Sequence, residues 1–280
     1  MTAPKARAAS AAGFETTGFL GGRVLLRQPR GGHRAGTDAA LVIAAARPYT
    51  KGQIADLGAG VGTIGIALAV LEPRLEVALV EIDPELAALA AETAAANDCG
   101  ERVRVLARDV RELATRPRAL PDSSCDLVVT NPPFTDARSS RGSPDEGRAL
   151  AHRMKEGDLA RWIDAAARLL KPRGSLVLIH RPDGLEAVLA ALRPRFGAIV
   201  LRPVQPRAKM AATRILVYAR KGGRTPLVLA APLILHEAGG SFTGLAASIH
   251  RGEAALGFHE ERSRGERRAS PPSRPHEGHA

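Results

Sequence analysis

The stretch Gln53-Ile-Ala-Asp56-Leu-Gly58-Ala-Gly60-Val-Gly62-Thr-Ile-Gly65 decides the fold. A short apolar run ends in an acid, glycines follow at alternate positions, and a helical pattern opens directly behind them. Strand, tight loop and crossover helix is the simplest reading, with glycines where the backbone must bend and approach a ligand at the strand's carboxyl end. Working outward, short apolar runs alternate with helical segments. Strands are expected at 53–57, 75–81, 102–106, 125–130, 174–180, 197–202 and 213–219, and helices at 62–71, 84–97, 156–171 and 184–193. That alternation builds a parallel sheet with helices on both faces. No helical pattern separates the last two strands, so they are expected to pair antiparallel.

The expected fold class is therefore α/β: a Rossmann-like, seven-stranded, mostly parallel sheet with an antiparallel last strand. Before it, residues 1–17 are small and polar without period and read as disordered. Phe19 to Leu26 reads as a strand, reversed by the turn chemistry of Gln28-Pro-Arg-Gly-Gly32, and Thr37 or Asp38 can cap a helix through Ala46. Asp83 directly before Pro84 is an N-cap signal, and Lys171-Pro-Arg-Gly174 closes a helix before a strand. Pro226 to Leu235 is apolar enough to pack on the domain. The domain is expected to span 18–236, with 237–280 a largely disordered extension.

The net charge is +11, and its distribution says more than its total. Between Arg193 and Arg224 lie nine basic residues and no acid, and the stretch through Arg34 carries six against the single Glu15. Such acid-free runs point to a polyanionic partner, because their field concentrates phosphate backbones. Cys99 and Cys125 have neither metal-ligand spacing nor the density of a disulfide scaffold, which fits a reducing compartment. No run approaches the roughly 18 apolar residues of a membrane span, so a cytoplasmic protein is expected. Aromatics make up only 3% of the chain, so each one outside the core is informative.

Two ligands compete for the glycine loop. Gly60, Gly62 and Gly65 satisfy the Gly-x-Gly-x-x-Gly dinucleotide pattern, with Glu81 placed where a ribose-binding acid belongs, so an NAD-linked dehydrogenase is one reading. S-adenosylmethionine (SAM) brings a ribose, a sulfonium cation and an ammonium group, and Asp56 suits a cationic ligand better than an anionic pyrophosphate. On this reading Gly58, Gly60 and Gly62 admit the ligand, Asp56 faces its cationic part and Glu81 accepts from both ribose hydroxyls. The alternative for Asp56 is fixing the strand-to-loop turn. Asp109, after the third strand, accepts from the adenine amino group or caps the segment behind it. Asp83 is read as the N-cap and not as a ligand.

The most specific local signal is Asp126-Leu-Val-Val-Thr-Asn131-Pro132-Pro133-Phe134, a buried strand ending abruptly in two prolines and an aromatic. An adenine's exocyclic nitrogen is a poor nucleophile, since its lone pair is delocalised into the ring. Two acceptors aimed at its N–H bonds would localise that pair. The Asn131 side-chain oxygen and the Pro132 carbonyl can be those acceptors, Pro132 and Pro133 fix the backbone, and Phe134 can stack on an unpaired base.

At these residues the chain resembles class I SAM-dependent methyltransferases, with Asp56 to Gly62, Glu81 and Asp109 matching their cofactor motifs and Asn131-Pro-Pro-Phe134 matching the amino-methylating subset. Gly21 to Leu41 and Leu176-Val-Leu-Ile-His180-Arg181 extend the likeness to bacterial tRNA(Val) adenine-N(6) methyltransferases, over about residues 18–236. The resemblance implies SAM as cofactor, tRNA as partner, and a contribution of Gly36-Thr37-Asp38 to the cofactor site. Members often carry Tyr where Phe134 stands; stacking survives that change. From Thr135 to Lys155 runs a polar, Arg-rich connection that either closes over the RNA or is an ordinary disordered insertion. The same turn also serves methylation of rRNA, DNA or a protein glutamine, and a degenerate RNA-binding module is the non-enzymatic alternative.

Overall fold

The computed structural model describes residues 13–30, 36–113, 120–133 and 157–258. In chain order the elements are β1 (Phe14–Phe19), β2 (Val24–Pro29), α1 (Thr37–Ala46), β3 (Gln53–Leu57), α2 (Thr63–Leu71), β4 (Glu76–Glu81), α3 (Pro84–Ala96), β5 (Val103–Ala107) and β6 (Cys125–Thr130). Then follow α4 (Asp158–Leu169), β7 (Leu170–His180), α5 (Leu185–Leu192), β8 (Phe196–Arg207), β9 (Arg214–Lys221), β10 (Val228–Leu229), β11 (Leu233–His236) and α6 (Gly244–His250).

The main sheet runs β5-β4-β3-β6-β7-β9-β8, with β9 antiparallel to both neighbours and the remaining strands parallel. These are the seven strands expected, but the sheet has nine. The reason is the length of β8, which continues to Arg207 and leaves a long open edge. β10 and β11, from the apolar stretch after Pro226, pair parallel to β8 and cover it.

Side chains alternate cleanly between two cores. On one face Ile54, Leu127 and Val129 pack with α1 and α2, whereas Ala55, Leu57 and Val128 pack on the other with α4 and α5. Buried on both sides, the central strands β3, β4 and β6 carry no solvent face, which explains their continuous apolar runs. Asp83 caps α3 as expected, its carboxylate accepting from the Glu85 and Leu86 amides with Pro84 at the first helical position.

Three expectations at the chain ends are corrected. The segment read as disordered through residue 17 is strand from Phe14, and the stretch read as one strand from Phe19 to Leu26 holds a hairpin reversal at Leu20–Arg23; Gly31 and Gly32 of the expected turn lie outside the described residues. Gly21 and Gly22, at φ +67° and +87°, supply the left-handed conformations that this turn requires. Residues 237–258 are folded: Ala246, Ile249, Leu256 and Phe258 are buried in the α1-side core. The expected domain boundaries at 18 and 236 thus both fall inside folded structure. The remainder of the expected disordered ends, 1–12 and 259–280, lies outside the described residues.

The hairpin docks on α3 through the Arg27–Glu92 ion pair, through Thr93 Oγ1, which accepts from Arg27 N at 3.1 Å, and through the Asn97 amide. Asn97 Oδ1 accepts from Leu25 N at 2.9 Å, and its Nδ2 donates to the Leu25 and Thr93 carbonyls, both at 2.7 Å. Asn97→Ala is therefore expected to destabilise the protein by about 1–2 kcal/mol. Amide exchange should rise in 24–29 more than in the central strands; uniform change would place the effect elsewhere.

Candidate active site

Every parallel strand ends at one edge of the sheet, and the residues singled out in the sequence gather there. After β3 the loop turns at once: Gly58 N and Ala59 N both donate to Val80 O, at 2.9 and 3.0 Å, tying the loop to the end of β4. Gly58 is required on two counts. Its φ is +71°, and a Cβ there would lie 2.8 Å from Cζ2 of Trp162. Gly60, at φ +56°, has nothing among the described residues within 4 Å of an added Cβ, so none of them closes off this part of the loop.

Glu81 is buried and braces the loop. Its Oε2 accepts from Gly60 N at 2.7 Å and its Oε1 from Asp83 N at 2.9 Å, so one carboxylate joins the glycine loop to the start of α3. Each oxygen retains a lone pair for a further donor.

Asp56 is 1% exposed. Its Oδ2 accepts from Gly65 N at 2.9 Å, holding the first turn of α2, while Oδ1 is buried with no hydrogen-bond partner. Burial pushes its pKa from 3.8 up to about 7, opposed by the Gly65 hydrogen bond and reinforced by the charge of Glu81. Asp56 does fix the turn, and half of its carboxylate remains to be satisfied.

Asp109 caps the short helical turn that follows β5. It accepts from Arg111 N at 2.8 Å, and the Arg111 guanidinium binds both of its oxygens before reaching Asp158 Oδ2 at 2.8 Å. Those bonds to Asp109 first, then to Asp158, hold Arg111 firmly charged. The expected cap of α1 by Thr37 or Asp38 is corrected: the N-cap is Gly36, without a side-chain hydrogen bond. Asp38 is instead paired to Arg214 at 2.8 Å. His250 Nδ1 donates to Ala246 O at 2.8 Å, which leaves Nε2 to accept from the Thr37 hydroxyl at 3.1 Å. Both residues stand at the carboxyl edge, held by β9 and α6.

β6 ends where Asn131 and the prolines deny it further ladder bonds. Just before them, buried Thr130 donates to Leu57 O at 2.7 Å and accepts from Trp162 Nε1 at 3.0 Å. This relay ties α4, β6 and β3 together beneath the glycine loop. Asn131 follows directly, with its Oδ1 buried and unpartnered among the described residues, next to buried Pro132 and half-buried Pro133. Phe134 and the connection from Thr135 to Lys155 lie outside the described residues.

Trp162 and Thr130 were not singled out in the sequence. The available signal was that Trp162 is the chain's one tryptophan, on an amphipathic helix. Trp162→Phe removes the donor to Thr130 and the ring that fills the space under Gly58. A loss of about 1–2 kcal/mol in urea unfolding is expected; unchanged stability would show that the relay holds nothing.

A braced glycine turn after β3 thus stands at the carboxyl edge of the sheet beside β6, the strand that stops at Asn-Pro-Pro. The chain belongs to the methyltransferase small domain family, whose model matches residues 35–199. It is 34% identical over 157 residues to a tRNA1(Val) (adenine(37)-N6)-methyltransferase of Porphyromonas gingivalis strain W83, covering 55% of this chain and 60% of that protein. It is 29% identical over 213 residues to the Aeromonas hydrophila protein of that name, covering 75% and 85%. A release factor glutamine methyltransferase of Salmonella typhimurium is 35% identical over 153 residues, 52% of each chain. Among solved structures, a predicted O-methyltransferase from Agrobacterium tumefaciens superposes with a TM-score of 0.65 at 32% identity, covering 79% of this chain and 98% of that one.

The methyl donor implied by this family is S-adenosylmethionine, and the residues present fit it. Asp56 has a buried, unsatisfied acceptor oxygen suited to a cationic ligand, Glu81 has lone pairs for a ribose, and none of the described residues closes off Gly60. Among the described residues no helix is long and apolar enough to cross a membrane.

Proposed function

We propose that this protein transfers a methyl group from SAM to the exocyclic amine of an adenine in tRNA, in the cytoplasm. The observation that carries the reading is the buried Oδ1 of Asn131, an acceptor with no partner among the described residues, at the end of the strand beside the glycine loop. A buried carbonyl oxygen without a donor costs stability, and such an orphan is retained where a ligand supplies the donor.

Bound SAM supplies an electrophilic methyl group on a sulfonium. Asp56 offers its free oxygen to the cationic part of that cofactor, Glu81 its lone pairs to the ribose, and the glycine loop an unobstructed backbone. Asp109 and the first turn of α1 with Thr37 and Asp38 complete the cofactor side. On the substrate side Asn131 Oδ1 and the Pro132 carbonyl accept from the two amine N–H bonds and localise the nitrogen lone pair. Thr130, tethered to Leu57 and Trp162, keeps those acceptors from reorganising as the bond forms. Pro133 stiffens the turn, and Phe134 stacks on the base. No side chain need attack covalently; the amine's surplus proton passes to water once the new C–N bond has formed.

The tRNA1(Val) relatives support adenine in tRNA as the substrate, and the nine basic residues without an acid between Arg193 and Arg224 support a polyanion. The Salmonella relative supports a second reading, a glutamine amide in a protein, which presents the same planar N–H geometry. Labelled SAM with bulk tRNA, followed by digestion to nucleosides, should place label in N6-methyladenosine. Label in a release factor and none in tRNA would establish the second reading instead.

A further inference from the structure

The basic run from Arg193 to Arg224 is not one surface. Arg195 is paired to Asp164 at 2.6 Å, and Lys221 donates to Leu170 O. Arg202 holds the Ala231 and Gly257 carbonyls, so its charge fastens the chain's own C-terminal segment. Arg214 neutralises Asp38. After these are set aside, two cations remain together at the carboxyl edge: Arg207, which ends β8, and Lys209 in the turn to β9. Both are exposed, and among the described residues neither side chain has a hydrogen-bond or ion-pair partner.

The turn itself is built. Met210 N donates to Arg207 O at 3.2 Å, and Lys209 sits at φ +66°, a conformation that glycine adopts cheaply and a lysine at a cost of about 1–2 kcal/mol. Met210, 47% exposed, is the apolar neighbour. Alongside lies the loop from His236 to Thr243, anchored to the same strand by His236 Nδ1, which donates to Pro206 O at 3.0 Å. Its ring stack runs His236–Phe242–His250, with centroids 4.7 and 4.2 Å apart, and Phe242 is 40% exposed. An added Cβ on Gly240 would lie 3.8 Å from Arg207 Nη2, so this side chain borders the loop. Glu237 is the one acid between Arg207 and His250.

This patch stands on the edge that carries Asn131. Thr130 pairs with Leu178, His180 with Ile215, and Val204 with Arg214, so the β8–β9 turn rises from the same end of the sheet. Three strand steps separate β6 from β8, a lateral distance of roughly 15 Å at about 4.8 Å per step.

We propose that Arg207 and Lys209, backed by the exposed edge of the His236–Phe242–His250 stack, form the surface that grips the RNA backbone a few nucleotides from the adenine at Asn131. The inference rests on the RNA reading above. Two unpaired cations beside exposed aromatic and thioether surface suit a phosphate backbone with splayed bases. The strain at Lys209 places a charge where the turn alone would favour glycine.

The test is the full-length double variant Arg207→Gln/Lys209→Gly, assayed with an unmodified tRNA(Val) transcript. Glycine relieves the backbone at 209, so the melting temperature should hold or rise, which separates the result from misfolding. The KM for the transcript should rise about tenfold, and the slope of log Kd against log salt should fall in magnitude by about 1.4, two contacts at about 0.7 each for single-stranded nucleic acid. The kcat and the Kd for SAM should stay as in the parent. An unaltered KM and salt slope, in a parent that methylates the transcript, would overturn the proposed surface. A parent that methylates a release factor and no tRNA overturns the RNA reading itself.

Discussion

Asn131→Ala is expected to lower kcat by about 10²–10³, the loss seen when one preorganised hydrogen-bonding group is removed from a transition state, while SAM binding by calorimetry scarcely changes. The separation follows from the structure. Among the described residues Asn131 Oδ1 makes no hydrogen bond, so its removal strands no donor there and the fold should not suffer. The interaction deleted is the one with the substrate amine, whose lone pair must be localised as the new bond forms. Thr130, bonded to both Leu57 and Trp162, keeps the remaining turn in place in the variant. An equal fall in SAM affinity and kcat would sink this assignment, because the side chain would then belong to the cofactor.

Asp56→Asn is expected to change stability and cofactor binding in opposite directions. In the native protein burial raises the Asp56 carboxyl from 3.8 to about 7, with Glu81 adding to it and the Gly65 amide opposing it. A raised carboxyl favours the folded state in its protonated form. Its contribution is fully present below about pH 3.8 and is lost as the pH climbs through about 7, by no more than about 4 kcal/mol at 1.36 kcal/mol per pH unit. Asparagine keeps an oxygen for Gly65 N and carries no proton to lose. Urea midpoints of the unliganded parent should therefore fall between pH 4 and pH 8 more steeply than those of the variant, which should be the more stable at pH 8. The same variant should bind SAM at least tenfold more weakly, since a neutral amide cannot match the cationic part of the cofactor as a carboxylate does. Superimposable pH profiles would show that Asp56 is not the titrating group.

Much of this architecture is visible in the chain because its signals are local. The apolar run into Asp56 and its glycines, the Asp83-Pro84 cap and the stop at Asn131-Pro-Pro each act within a few residues, and each stands where it was expected. Errors arose where local signals competed or were absent. Near the start the apolar residues from Phe19 to Leu26 read as one strand, yet Gly21-Gly22 interrupts them with a hairpin reversal. Helix α6 is seven residues long and follows a glycine-rich stretch, so it owes its existence to burial of Ala246 and Ile249, not to propensity. Within the candidate site, the capping reading of Asp109 was legible as one of two, whereas its pairing with Arg111 was not read. The bond between Thr37 and His250 spans 213 positions and that between Thr130 and Trp162 spans 32, and no spacing rule reports such pairs.

The C-terminal segment closes the structure at its oldest part. Leu256 N donates to Ala44 O, Phe258 N donates to the Tyr49 hydroxyl, and the Phe258 ring packs near Tyr49 and Tyr218. Helix α1 leaves the ribosome early, yet one side of it stays uncovered until residue 258 has been translated. The nascent domain therefore spends much of its synthesis with an apolar flank of α1 exposed, and this part of the core cannot close before residue 258 has been added.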